Sequence, residues 1–320
     1  MMKNIRQTLQ GKPRLGAVAA LVLLSLIWGY NWVVMKIALQ DAPPLLFAAL
    51  RTFLGAICLL PILYFQGRLR CPQNPLQIVL LGLLQTTGFI GFMTWALLAG
   101  AAGKTAMLVY LMPFWVLILA GIFLNERLDS WQRLVMVPAF GGLVLILEPW
   151  HFSGDLTPKF LALGSGLCWA GGSVLGKRLC KTTHADLLGL TAWQMLLGSL
   201  PLAAACFLIP ESPVTWSSYL LAALAYNVVL CNALAFILWF YILKKLPAGI
   251  AGLGSLGTPL LGVLAAWVQL GERPGLSAGI GMGLIACALF LLCRSWRGVG
   301  CRQKRPRNLE PNEELARQLH

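Results

Sequence analysis

Long apolar runs dominate the chain, and polar positions interrupt them only sparsely. Each run approaches the roughly 20 helical residues that cross the hydrocarbon of a bilayer. The ten runs cover residues 15–38, 45–66, 75–99, 102–124, 131–149, 157–179, 186–208, 216–243, 249–270 and 276–294. Strands of a membrane barrel would alternate apolar and polar residues instead. The pattern therefore predicts an all-α integral membrane protein with ten transmembrane helices.

Two segments recur in the same order along the chain, which indicates an internal duplication. An apolar helix opens at Pro113 and closes at Glu126-Arg127, and the same arrangement returns 146 residues later from Pro259 to Glu272-Arg273. A second match, at an offset of 141, relates the segment from Trp28 to Lys36 to the segment from Trp169 to Lys177.

The duplication divides the apolar runs into two halves of five, residues 15–149 and 157–294. Because five is odd, the second half is expected to lie upside down relative to the first. The fold prediction is therefore two inverted five-helix repeats, a design that supplies two nearly equivalent arrangements open to opposite faces. Glu126-Arg127 is then expected in a cytoplasmic loop and Glu272-Arg273 in an outer loop.

Composition and charge agree with a lipid-embedded chain. The protein is 58% hydrophobic and 11% charged, and its net charge is +14. Most of the 25 Lys and Arg residues fall on one side of the predicted spans, including segment 1–14 and the basic tail 295–320. This bias predicts a multi-pass protein of the plasma membrane, the bacterial inner membrane, with both termini cytoplasmic. The charge is explained by topology, so nucleic acid is not an expected partner.

Cysteine and histidine patterns do not suggest a metal or cofactor. The nine cysteines form no Cys-x-x-Cys pair, and the three histidines lie in loops or the tail. A metal site is therefore not expected, nor is any other cofactor. The expected partners are a small-molecule substrate and membrane lipids, and a homodimer is left open.

Polar and aromatic residues of the first two spans are candidates for substrate binding. Trp28 and Asn31 share a helix face, and a mid-membrane amide requires either a partner helix or a wet cavity. Lys36 either extends to the interface or meets an anionic substrate group. Arg51 either attracts a carboxylate or pairs with Asp41 at the interface.

Further candidates lie on four later spans. Gln85 and Trp95 fall on the polar third span and Tyr110 on the fourth, whereas Trp169 and Asn227 lie on the sixth and eighth. Trp169 is either a packing residue or part of a cavity wall. Pro113 and Pro259 are predicted to bend their helices and to allow the two halves to flex.

These features together resemble the EamA family of the drug/metabolite transporter superfamily. The likeness includes Trp28-Gly29 with Lys36, Ala49-Leu50-Arg51 and the Pro113 to Glu126 segment, and it covers about residues 15–294. It implies a secondary carrier, often an exporter of amino acids, with a central cavity walled by both halves. The resemblance implies that Trp28, Asn31, Trp95, Tyr110 and Trp169 line this cavity and that the Glu-Arg pairs anchor loops. The second half departs from this pattern, because it has Ala170 and Gln194 in place of the glycine and the arginine of the first half.

The placement of acidic residues bears on coupling. All eleven Asp and Glu residues are expected in loops, span ends or the tail, so none is predicted to carry a proton at mid-membrane. Facilitated diffusion or exchange is expected. Two other functions are a membrane sensor or assembly factor that keeps a transporter fold, and an intramembrane enzyme, which the lack of histidine in the spans disfavours.

Overall fold

A computed structural model describes residues 2–72, 74–99, 108–126, 130–147, 157–182, 186–271 and 275–302. The regular elements of these ranges are all helical. We label them α1 (Met2–Ala38), α2 (Pro44–Phe65), α3 (Pro75–Gly82), π1 (Leu83–Gly88), α4 (Phe89–Ala99), α5 (Met112–Phe123), α6 (Ser130–Leu147), α7 (Thr157–Thr182), α8 (Leu187–Leu208), α9 (Ser218–Tyr226), π2 (Asn227–Leu234), α10 (Ala235–Lys245), α11 (Ala248–Gly254), α12 (Gly257–Leu270) and α13 (Leu276–Arg302). The predicted Glu272-Arg273 pair lies outside the described residues.

Several helices are long and apolar enough to cross a membrane. Within the described ranges, six such segments are Leu15–Ala38, Pro44–Phe65, Pro75–Ala96, Leu187–Leu208, Ser218–Lys245 and Ala248–Gln269, and three shorter apolar helices are Met112–Phe123, Arg133–Leu145 and Leu276–Leu292. The prediction of an all-α membrane protein is confirmed. The count of ten spans stays a prediction.

The two repeated prolines begin helices rather than bend them. Pro113 is the second residue of α5 and follows a turn at Tyr110 and Leu111, while Pro259 is the third residue of α12 and follows a turn after α11. Proline has no N–H to donate, and the first helical turn leaves that donor unused anyway. The predicted bends inside continuous helices are therefore replaced by interruptions of the helix.

Two π-helical segments interrupt corresponding helices of the two halves. Residues Leu83–Gly88 form π1 between α3 and α4, and Asn227–Leu234 form π2 between α9 and α10. A π-helical segment adds a residue to the helical turn and rotates the side chains that follow, and such segments are frequent at functional sites.

The helices of the two halves interlock in matching pairs. Helix α1 packs on α12 and α7 packs on α5, so the first span of each half meets the fourth span of the other. Helix α2 packs on both α8 and π2, while α8 packs on π1 in return. Each contact thus has a counterpart in which the halves exchange roles, as expected for a duplicated chain.

The equivalent helices α2 and α8 run in opposite directions. At one end, the backbone N–H groups of Leu45 and Leu46 donate to Glu211, which follows α8. At the other end, Arg68 after α2 pairs with Asp186 at the start of α8. An inverted duplication requires this antiparallel arrangement.

The two ends of the bundle differ in charge, and we call them the basic end and the opposite end. The basic end holds the end of α2 at Arg68, the ends of α7 and α10, and the start of α8; its cations include Lys177, Lys181, Lys244 and Lys245. The opposite end holds the end of α1 and the starts of α2 and α9, where Ser217 donates to Asp41.

Glycine allows α3 and α8 to approach each other closely. A Cβ built on Gly198 would lie 2.4 Å from the backbone O of Gly82, and a Cβ on Gly82 would lie 2.6 Å from the backbone O of Gln194. Small residues at helix crossings are typical of membrane bundles, where packing rather than the hydrophobic effect holds helices together.

We therefore expect Gly198→Ala to destabilise the bundle by about 1–3 kcal/mol, since backbone must shift to accept the methyl group. Thermal unfolding of the detergent-solubilised protein measures the loss. Gly279→Ala is the matched control, because nothing lies within 4 Å of a Cβ there. Equal melting temperatures for the two variants would contradict this packing account.

Candidate substrate cavity

A cavity lies where the two halves meet. Its wall includes Trp28, Asn31, Arg51, Tyr110, Trp169 and Thr258, contributed by α1, α2, α7, α12 and the turn before α5. Its volume of about 80 Å³ is enough for several water molecules, each of which needs roughly 10–15 Å³ by this measure. A larger solute therefore requires the surrounding helices to separate.

A cluster of aromatic rings forms part of the cavity wall. The ring centroid of Trp169 lies 5.2 Å from that of Trp28, 5.3 Å from that of Trp239 and 4.6 Å from that of Phe89. The Trp28 indole N–H donates to the backbone O of Cys231 at 3.1 Å. We call Trp28, Phe89, Trp169, Phe236 and Trp239 the aromatic floor. Its edge-to-face and tilted contacts are favourable geometries for pairs of aromatic rings.

Arg51 is a buried cation on the cavity wall. Its side chain is 5% exposed, and its Nη1 donates to Asn227 Oδ1 at 2.8 Å. Asn232 Nδ2 in turn donates to the backbone O of Arg51 at 2.9 Å, so two residues of π2 hold this part of α2. Arg51 Nε has no hydrogen-bond partner among the described residues.

The alternative of an Asp41–Arg51 pair is wrong. Asp41 accepts from Ser217 at the opposite end, whereas Arg51 reaches inward to Asn227. Among the described residues no carboxylate contacts Arg51. A charge buried with neutral partners alone is costly in a membrane, which makes an anionic ligand a favourable partner.

Two acceptor oxygens lie on the same wall. Asn31 Nδ2 contacts the sulfur of Met35 at 3.1 Å, and its Oδ1 has no partner in the described part of the chain. The Thr258 hydroxyl, beside the helix interruption at Pro259, also lacks a partner there. The wall therefore combines a cationic donor with oxygen atoms that accept hydrogen bonds.

Of the remaining predicted site residues, Tyr110 and Trp169 line the cavity, and Asn227 lies behind it as the partner of Arg51. Lys36 is exposed near the opposite end, and Trp95 is 45% exposed, so neither is on the cavity wall. Gln85 is fully buried outside this cavity.

Sequence reasoning did not select Asn232, Phe236 or Thr258 for the wall. The proline after Thr258 was the available signal, because an interrupted helix exposes polar backbone and side-chain groups to a cavity.

Glu126 ties several helices together at the basic end. Its carboxylate lies 3.1 Å from Lys177 Nζ and 3.7 Å from Lys181 Nζ, and it accepts from the backbone N–H of Ala248 at 2.6 Å. Lys177 is 3% exposed and also donates to the backbone oxygens of Leu243 and Leu246. The chain after α5 is thereby joined to α7, α10 and α11.

Comparison with known proteins agrees with this arrangement. The model of the EamA-like transporter family matches residues 15–148 and 157–294, one match for each half. The chain belongs to this family of transporters.

Relatives of this EamA-like protein are similar over nearly their whole length. The uncharacterized transporter YoaV of Bacillus subtilis (strain 168) is 30% identical over 277 residues, 85% of this chain and 94% of that protein. A probable amino-acid metabolite efflux pump of Salmonella typhimurium is 27% identical over 288 residues, 86% of this chain and 93% of that protein. A solved crystal structure of a protein has a TM-score of 0.76 at 20% identity and covers 88% of this chain and 98% of its own, which shows a shared fold.

The contacts of Glu126 predict that a single substitution of this residue strongly destabilises the fold. Glu126→Gln leaves the buried Lys177 ammonium without its carboxylate, and we expect a loss of about 3 kcal/mol in unfolding free energy. Adding Lys177→Met to that variant should recover much of the loss. Arg68→Ala, which removes a partly exposed pair with Asp186, should cost at most ~1 kcal/mol. Equal effects of Glu126→Gln and Arg68→Ala on thermal unfolding would contradict the buried pair.

Proposed function

We propose that the protein is a secondary transporter that exports small amphipathic metabolites, amino acids or related compounds, across the bacterial inner membrane by alternating access. The observation that carries the proposal is the cavity between the two halves, with the buried Arg51 guanidinium on its wall. The antiparallel repeat helices α2 and α8 also support the proposal, because an inverted repeat favours a bundle that opens to either face. Export as the direction rests on the efflux-pump name of the Salmonella relative.

The cavity offers a separate partner for each part of an amino acid. Arg51 provides a charge-assisted donor for the carboxylate. Asn31 Oδ1 and the Thr258 hydroxyl, which lack partners among the described residues, provide acceptors for the ammonium group. The aromatic floor offers apolar surface to the side chain, and a cation near its ring faces is also favoured.

Orientation follows from charge in this proposal. The basic end faces the cytoplasm, as the distribution of Lys and Arg favours, and ten spans then leave both termini on that side. The aromatic floor and the Glu126 contacts close the bundle towards the cytoplasm, and the cavity belongs to an outward-facing or occluded state. Transport requires these contacts to open while the opposite end closes.

A substrate gradient or an exchanged substrate drives this movement in our proposal. Among the described residues that line the cavity there is no carboxylate, so a proton-carrying acid is not available on its described wall. Glu126, the acid joined to buried Lys177, lies at the basic end.

Counterflow of labelled amino acids in reconstituted vesicles tests the proposal. We expect wild-type protein to exchange at least one amphipathic amino acid and Arg51→Gln to lower that rate about tenfold or more, since a charge-assisted hydrogen bond contributes ~1.5–3 kcal/mol. Arg68→Gln, at a surface ion pair, should keep the wild-type rate. No counterflow by wild-type protein across an amino-acid panel would refute the proposal and favour a sensor or assembly factor.

Coupling has its own test. With equal substrate on both sides of sealed vesicles, an imposed pH gradient should produce no accumulation, because no described cavity residue is an acid that carries a proton. Accumulation driven by the pH gradient alone would show proton symport or antiport and contradict this part of the proposal.

A further inference from the structure

A second group of buried polar side chains lies where π1 packs between α7 and α8. Gln85, Thr86 and Gln194 are each fully buried, and the Thr86 hydroxyl donates to Gln194 Oε1 at 2.9 Å. Neither amide atom of Gln85 has a hydrogen-bond partner among the described residues, nor has Gln194 Nε2. Buried polar groups are nearly always paired, so three unpaired amide atoms in one group require an explanation.

The duplication relates this group to the cavity wall. Arg51 and Gln194 lie seven residues after Pro44 and Leu187, where α2 and α8 begin. A glycine follows each of them four residues later, Gly55 and Gly198. A Cβ on Gly55 would meet Asn232 and a Cβ on Gly198 would meet Thr86. Thr86 is therefore the counterpart of Asn232, a residue of the cavity wall.

Gln85 completes the correspondence with Asn31. The offset of 141 residues pairs Asn31 of the first half with Gly172 of the second. Gly172 has no side chain, and a Cβ there would lie 2.9 Å from the Cβ of Gln85. Gln85 thus occupies the space beside Gly172. The amide of this group is therefore carried by π1 of the first half and not by α7, the counterpart of α1.

The two groups lie towards different ends of the bundle. Arg51 and Asn31 are seven residues from the ends of α2 and α1 that meet at the opposite end. Gln194 is seven residues from the end of α8 that meets Arg68 at the basic end. The Gln85 group thus occupies the position that the inverted repeat makes equivalent to the cavity wall.

We propose that Gln85, Thr86 and Gln194 form a second binding site for the transported substrate. In the other transport state this site is open at the basic end of the bundle. This inference rests on the proposed transport function. In that state the free amide N–H groups donate to the substrate carboxylate, and the Gln85 carbonyl accepts from its ammonium or hydroxyl group. The site is neutral where the cavity is cationic, so it recognises its ligand by hydrogen bonds alone.

Sided kinetics test the proposal with Gln85→Leu, which keeps the side-chain size and removes both amide atoms. In vesicles of one orientation, we expect the KM for amino-acid exchange to rise about tenfold on the side of the basic end, the effect of one or two lost hydrogen bonds, and to stay within about twofold on the other side. Gln194→Leu should act in the same direction. Ser173→Ala is the control, because this buried hydroxyl donates to the backbone O of Trp169 within its own helix.

Accessibility gives a second readout that does not depend on transport rates. In a variant that lacks the native cysteines, Gln85→Cys should react with a membrane-impermeant thiol reagent applied on the side of the basic end during exchange, and substrate should slow the reaction. Reaction from the other side only, or none, overturns the proposal.

The outcomes separate the two proposals. Active wild-type protein with unchanged KM values on both sides for Gln85→Leu and Gln194→Leu overturns the second site and leaves the transport function standing. Equal changes on both sides also overturn it, because they indicate a structural role. Inactive wild-type protein overturns the proposed function itself.

Discussion

The fold depends on satisfying a few polar groups in an apolar interior. Arg51 is the clearest case, because its guanidinium is buried and its described partners are neutral. Asn227 and Asn232 provide those partners from π2, where the irregular helical turn brings both towards α2. In a membrane such an arrangement persists only if the surrounding bundle holds it, and the interlocked halves provide that support.

Duplication preserved the backbone arrangement and allowed the chemistry to diverge. Both halves keep a long first helix, a π-helical third span and a proline at the start of the helix after an interruption. The equivalent of cationic Arg51 is neutral Gln194, and the amide of Asn31 is matched from a different helix by Gln85. Two similar groups of polar side chains that differ in charge suit a carrier that binds its substrate differently at each face.

Sequence alone predicted the all-helical membrane fold, the repeat and several of the residues that line the cavity. It could not predict which way Trp95 points, because lipid and protein interior are both apolar and hydrophobicity does not separate a lipid-facing surface from a buried one. The π-helical segments were not predicted from the sequence either, since they depend on tertiary contacts rather than on a local pattern. Repeated Pro113 and Pro259 gave a signal, but the choice between a bend and an interruption depends on the preceding residues.

The central claim is that two copies of one helical unit face opposite ways around a shared cavity. The most direct test is the membrane side of the two loops that the repeat makes equivalent, the one after Glu126 and the one after Glu272. Single cysteines introduced in each loop and labelled with an impermeant reagent in intact cells should react only in the Glu272 loop, with the Glu126 loop reactive only after the membrane is opened. Labelling of both loops from the same side would contradict the account.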